Sequence, residues 1–232
     1  MSAPLCCMMD IRTLKEEELA ALTASLPPER AKKIEAMRQR ADKLRSAGAA
    51  LILRYCLGAY GLPEDSIRYA ELGRPFVRGR KDLFVTLSHS GDYALGAIGP
   101  SPLSVDIQDH DGGTEAIVRR AFSPREQSWY RAAGDEAGRR QRFYDIWCRK
   151  ECLAKLDSYE YVRDIDSFSP APGYRYFGIP PIPGYSLALY APEAPAALLA
   201  LEWDRSGGFR QRSSLPFLPQ DGPWQGRRKI PV

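Results

Sequence analysis

The stretch Trp147-Cys148-Arg149-Lys150-Glu151-Cys152-Leu153-Ala154-Lys155 closes a segment, Arg140 to about Lys155, whose apolar residues fall at helical spacing. Phe143, Ile146, Trp147, Leu153 and Ala154 form its inner face. The spacing sets Glu151 one turn from both Trp147 and Lys155. A glutamate with a lysine four residues on is ordinarily an exposed stabilising pair, and two upstream stretches change that reading. In Val105-Asp106-Ile107-Gln108 an aspartate stands between two β-branched residues. Strand alternation sends Val105 and Ile107 to one face and Asp106 and Gln108 to the other. An aspartate within an apolar strand is unfavourable without a partner, unless it marks a strand end open to water. Further upstream, Leu87-Ser88-His89-Ser90-Gly91 ends another strand. Asp106 and Glu151 offer hard oxygen ligands, while Lys155 and His89 offer charge or donors for phosphate. One or two carboxylates completed by substrate phosphates is how Mg²⁺ is usually held.

Outward from these stretches, the pattern predicts helices and strands in two rounds. A helix with an apolar stripe and a basic face is predicted from Pro28 to Leu44, and a buried one from about Ser46 to Leu57. Strands follow at Ile67–Glu71, Phe84–Ser88, Tyr93–Ile98 and Leu103–Ile107. A turn is placed at Glu71–Phe76, and His89–Asp92 has hairpin composition. The second round has helices at Thr114–Phe122, at Pro124–Ala133 with Ser123 as N-cap, and at Arg140–Lys155. Strands are expected near Ser167, Tyr174–Phe177, Ser186–Tyr190 and Leu198–Trp203. The Gly, Pro, Arg and Gln-rich stretch from Arg205 to Val232 has no periodicity and is expected to be a flexible tail.

Bulk properties narrow the classes. With 232 residues, 44% of them hydrophobic, the chain can form one large domain or two small ones around a sizeable core. No long apolar run is present and the first ten residues lack a secretory pattern, so no membrane association and a cytoplasmic location are expected. Cys6, Cys7, Cys56, Cys148 and Cys152 form no regular framework and read as buried thiols. The net charge of +4 is concentrated in the tail; without residues 205–232 the chain has 27 basic and 28 acidic residues. Nucleic acid is therefore not an expected partner, although Arg30 to Arg45 is locally basic.

Taken together, the three stretches resemble the signature of the 4'-phosphopantetheinyl transferases, in particular the larger, monomeric Sfp-type class. Trp147, Lys150, Glu151 and Lys155 match its W-x-x-K-E-x-x-x-K motif, Asp106 its G-[IV]-D-[IVL]-E motif, and Ser88 and His89 its serine–histidine strand end. Gln108 stands where many members carry a second acidic residue, and Leu156-Asp157-Ser158 where a glycine-containing turn is common. The resemblance implies an α+β fold of two pseudo-symmetric α/β subdomains with the active site in the cleft between them. On the sequence these are residues 1–101, then 102–204 with the metal site, then the tail, 205–232.

The activity implied is Mg²⁺-dependent transfer of the 4'-phosphopantetheine arm of coenzyme A to a serine of an acidic acyl or peptidyl carrier protein, by a monomer. Asp106 and Glu151 would then be metal ligands, with Gln108 beside them, and Lys155 would contact the phosphates. His89 with Ser88, Arg74 in Gly73-Arg74-Pro75, and Arg45 would face the 3'-phosphate, and Arg30 the adenine. Glu151 or Glu126 would take the serine proton. Glu126 is equally a capping-box residue three positions after Ser123. The rival readings are another metal-dependent phosphoryl enzyme, or a module that binds nucleic acid through Arg30–Arg45 and the tail.

Overall fold

The computed structural model describes residues 4–70, 73–112, 115–157, 165–179, 182–204 and 208–220. Its first half runs β1 (Leu5–Asp10), α1 (Glu16–Ala24), α2 (Pro28–Glu35), α3 (Arg40–Ala59), β2 (Ile67–Tyr69), β3 (Pro75–Val77), β4 (Phe84–Ser90) and β5 (Tyr93–Gly99). Its second half runs β6 (Ser104–Asp109), α4 (Glu115–Ala121), α5 (Pro124–Arg131), α6 (Glu136–Asp157), β7 (Arg175–Gly178), β8 (Tyr185–Ala191), β9 (Leu198–Trp203), β10 (Phe209–Leu215) and β11 (Leu218–Pro219). The fold is α+β.

Each half opens with a strand, passes through two short helices and one long one, and returns with antiparallel strands. The strand order β1-β5-β4 in one sheet has its counterpart in β6-β8-β7 in the other. In both, the first strand pairs antiparallel with the last, which pairs antiparallel with the middle one. The long helix of each half covers its own sheet: α3 lies on β5, β4 and β1, and α6 on β8 and β6. Close packing of α3 requires Gly96 on β5, where an added Cβ would stand 2.5 Å from Ile52. Ile52 joins Leu51, Leu53, Leu57, Val85 and Ile98 in the larger core. Val105, Ile107, Leu95, Leu189 and Leu198 form a second core linking the halves.

The sheets do not respect the boundary expected between residues 101 and 102. The five-stranded sheet, β10-β9-β1-β5-β4, takes β9 and β10 from the far end of the chain. β9 lies parallel to β1, with Cys6 opposite Leu198. The expectation of a flexible tail is corrected for residues 208–220. Phe209–Leu215 pairs antiparallel with β9, and Leu218–Pro219 with β7. Its charged and polar side chains suit an exposed edge strand, which carries no apolar alternation to read. Residues 205–207 and 221–232 lie outside the described residues, as do Glu71, Thr114 and Ser158.

Two further expectations are corrected. The helix predicted over Pro28–Leu44 is two: α2 ends at Glu35, and α3 starts at Arg40 and runs unbroken through Leu44–Ser46. No strand forms at Ser167; Ile165 to Ser169 is a turn in which the Ser169 amide donates to the Asp166 carbonyl at 3.1 Å. All five cysteines are free and buried. No helix among the described residues is long and apolar enough to cross a membrane.

Candidate active site

The site forms where the halves meet, between β4 and β6 and under the C-terminal end of α6. Asp106 is 1% exposed and is held from three sides. Its Oδ1 accepts hydrogen bonds from Ser88 Oγ at 2.6 Å and Lys155 Nζ at 2.7 Å, and its Oδ2 from Gln108 Nε2 at 3.0 Å. Lys155 also donates to the Val105 carbonyl at 3.0 Å. Burial works against the charge on Lys155, but Asp106, Cys152 and Glu151 together outweigh it, and the net shift is upward.

Glu151 lies one helical turn before Lys155 and is half-buried. Among the described residues its carboxylate takes no hydrogen bond and no ion pair. Burial, then the neighbouring negative charge of Asp106, raises its pKa, and Lys155 only partly offsets them. Two carboxylates pressed together beside one lysine are unfavourable without a further cation. That donor set is hard oxygen throughout, and it fits Mg²⁺. Among the described residues no cluster of three or more His, Cys, Asp and Glu could hold a metal, so remaining ligands must come from elsewhere.

A second cluster surrounds His89 on the opposite face of β4. Burial, then the charges of Arg30, Arg45 and Lys155, push its pKa down to about 4, so the imidazole is neutral near pH 7. Arg45 donates to Asp42 at 2.5 Å and to the Gly91 carbonyl at 3.5 Å. Arg30 lies behind them, 3% exposed, donating to the Ser46 carbonyl at 2.9 Å and sitting 5.3 Å over the Tyr69 ring. Arg30 Nε, Ser46 Oγ and Tyr69 OH are buried and take no hydrogen bond among the described residues. Such orphaned donors mark a place where a ligand or water completes the bonding. Sequence reasoning missed Ser46 and Tyr69, since neither residue type carries a signal of its own.

Arg74 follows Gly73, whose φ of +80° only glycine adopts easily and over which Lys33 Nζ lies. The Arg74 side chain is exposed and lines a groove of about 760 Å³ with Phe76, Leu83, Leu103 and Leu156.

Three expectations change here. Glu126 is fully buried, with Oε2 2.9 Å from Lys150 Nζ and 2.7 Å from the Ser123 amide, and Oε1 2.8 Å from the Ser167 amide. Ser123 returns the cap at 3.3 Å. A carboxylate closed off from solvent and committed to a lysine and two amides cannot reach a substrate hydroxyl, so the capping reading holds and the general-base reading does not. Ser88 is not turned toward a ligand either, because its hydroxyl is spent on Asp106. Arg30, buried against Tyr69, is not presented to an adenine and acts as a charge behind His89.

A family model described as the 4'-phosphopantetheinyl transferase superfamily matches residues 102–173. A Bacillus subtilis protein named 4'-phosphopantetheinyl transferase is 30% identical over 161 residues, which cover 68% of this chain and 71% of its own. The 4'-phosphopantetheinyl transferase Sfp of Bacillus subtilis strain 168 is 27% identical over the same shares. The 4'-phosphopantetheinyl transferase psf-1 of Bacillus pumilus is 31% identical over 53% of each chain. The chain belongs to the 4'-phosphopantetheinyl transferase superfamily, in its Sfp-type class, and is a transferase.

Proposed function

We propose that the protein transfers the 4'-phosphopantetheine arm of coenzyme A to a serine of an apo carrier protein, with Mg²⁺ as cofactor. The observation that carries this reading is the pairing of Asp106 and Glu151 beside Lys155, with the cation cluster around His89 on the other face of β4. The two clusters match the two ends of a nucleotide that bears both a pyrophosphate and a separate phosphate. Asp106 and Glu151 would hold Mg²⁺, with Gln108 alongside. When bound, the ion neutralises charge that develops on the pyrophosphate.

The chain's own residues do the rest. Lys155 donates to pyrophosphate oxygens and stabilises the leaving side. His89, Arg45 and Arg74 receive the 3'-phosphate, backed by the buried charge of Arg30. Glu151 takes the proton of the attacking serine, directly or through water. The serine oxygen bonds to the β-phosphorus, the bond from that phosphorus to the bridging oxygen breaks, and adenosine 3',5'-bisphosphate leaves.

The partner is a carrier protein acidic around the modified serine, and the enzyme acts as a cytoplasmic monomer without nucleic acid. Incubation with coenzyme A, Mg²⁺ and several apo-carrier proteins tests this. Mass analysis should show the arm added to a carrier only when Mg²⁺ is present. Failure with every carrier class, or transfer in its absence, sinks the reading.

A further inference from the structure

β6 has a free edge. One side of the strand is paired by main chain to β8, and the other faces β4 of the opposite sheet. That second edge is closed by side chains. Thr86 Oγ1 accepts the Val105 amide at 3.4 Å, Ser88 Oγ the Ile107 amide at 3.4 Å, and Ser90 Oγ the Asp109 amide at 2.9 Å. Every rung joins residues 19 apart, so β4 and β6 run parallel in fixed register. Alternate residues of β4 thus satisfy alternate amides of β6, at the spacing a main-chain ladder would use. In the other half, β1 fills the same topological place and takes β9 as its parallel neighbour by ordinary backbone pairing.

The hydroxyls do more than accept. Ser88 donates to Asp106 Oδ1 at 2.6 Å, and Ser90 to Asp109 Oδ1 at 2.6 Å. Ser88 therefore holds both the backbone of β6, through Ile107, and the carboxylate of Asp106. A carboxylate oxygen accepts about two hydrogen bonds. Ser88 and Lys155 fill Oδ1, whereas Oδ2 accepts from Gln108 among the described residues, with the Cys148 thiol, a weak donor, also close to the carboxylate.

We propose that Ser88 is a positioning residue for the transfer reaction, a rung of a hydroxyl ladder that sets the reach of Asp106 across the seam and leaves Oδ2 as its metal-ligating atom. This rests on the transferase reading and on Mg²⁺ binding at Asp106. Hydrogen-bond partners of a ligating carboxylate typically change metal affinity by about 10–100-fold when removed.

The test compares Ser88→Ala, Ser88→Thr and Thr86→Val with the wild type. Three quantities are measured: amide exchange at Val105 and Ile107 in metal-free protein, the Mg²⁺ concentration that half-saturates coenzyme A binding by calorimetry, and the same concentration for transfer. Ser88→Ala should speed exchange at Ile107 and raise both Mg²⁺ concentrations at least about tenfold. Ser88→Thr, which keeps the hydroxyl, should restore both. Thr86→Val should speed exchange at Val105 and leave the Mg²⁺ requirement alone, because no ligand hangs on that rung. Ser88→Cys fills the same space with a poor donor and carries the test should the alanine variant not fold. An unmoved Mg²⁺ requirement in Ser88→Ala or Ser88→Cys overturns the proposal, as does an equal shift in Thr86→Val. Absence of transfer by the wild type would instead refute the functional reading, so the two failures are distinct.

Discussion

Glu126 and Lys150 face each other at 2.9 Å with neither side chain exposed to solvent. The pair ties the start of α5 to the middle of α6. Lys150 also donates to the carbonyl of Ile165, and so ties in the turn that follows the described part of α6. The lysine sits one residue before Glu151, so the pair fixes the roll of the helix that aims Glu151 and Lys155.

Removing one partner of this pair leaves an uncompensated buried charge. Lys150→Met or Glu126→Leu alone should therefore lower unfolding stability by about 3–5 kcal/mol. The double variant should recover much of that loss, since apolar residues of similar size fill the space. Urea unfolding of the three variants checks this. A single-variant loss below about 1 kcal/mol would mean that water enters the site and shields the charge.

Glu151→Ala should abolish transfer and leave stability within about 0.5 kcal/mol, because among the described residues the carboxylate holds no hydrogen bond or ion pair. Asp106→Ala should abolish transfer and also destabilise, by about 2 kcal/mol or more, as it strands Lys155, Ser88 and Gln108 together. Circular dichroism melts beside a transfer assay separate the two effects. Equal stability losses would contradict the contrast between their surroundings.

His89 gives a pH prediction with a definite sign. Its folded pKa, about 4, lies below the ordinary value of 6.5, so the unfolded chain binds the proton more readily. The stability tied to the neutral imidazole is complete above about pH 6.5 and is lost as pH falls toward about 4. His89→Gln should flatten the melting curve against pH in that window. A phosphate bound beside the ring should raise its pKa, so coenzyme A should take up a proton on binding near pH 6. Calorimetry in buffers of different ionisation heat measures that proton, and its absence would place the 3'-phosphate elsewhere.

Gln108→Glu replaces a donor to Asp106 with a third carboxylate. Without metal the variant should be less stable by about 1 kcal/mol. With Mg²⁺ it should bind the ion more tightly, since the added charge then meets a cation. Melts with and without Mg²⁺ should therefore show a larger metal-induced gain than the wild type does. An equal gain would place residue 108 outside the ion's coordination.

A chain ending at Arg205 should lose about 2 kcal/mol or more, with a fall in Tm of about 5 °C or more, because β10 goes with it. Phe209 packs edge-on against Trp203 and Tyr55, with ring centroids 5.1 and 5.3 Å away. A chain ending at Gln220 keeps both β10 and β11. If the shorter chain melts like the longer one, β10 contributes nothing to the sheet.

The motif residues were legible because their chemistry is unusual for their places. An aspartate between Val105 and Ile107 demands a partner, and the structure supplies Ser88, Lys155 and Gln108. β1 was not legible: Leu5 to Asp10 lies between β5 and β9 with both faces covered, so it shows no alternation. β10 failed for the opposite reason, since an exposed polar edge looks like a tail. The break between α2 and α3 was hidden because Ile34, Met37, Ala41 and Leu44 keep helical spacing across it. Glu126 carried two readings that sequence spacing could not separate; Lys150, 24 positions later, decides between them.

The pairing of β1 with β9 bears on how the chain is made. Cys6 must wait for Leu198 before the five-stranded sheet can close, so one interior strand stays half-unpaired through most of synthesis. Contacts of such sequence separation form late and slow folding. Residues 1–101 made alone would present the unpaired edge of β1, with Cys7 and Met9 beside it, as a template for other chains. A ribosome carrying this nascent half therefore holds an aggregation-prone intermediate, and expression of that half alone should yield insoluble protein, while co-expression with the remainder should rescue it.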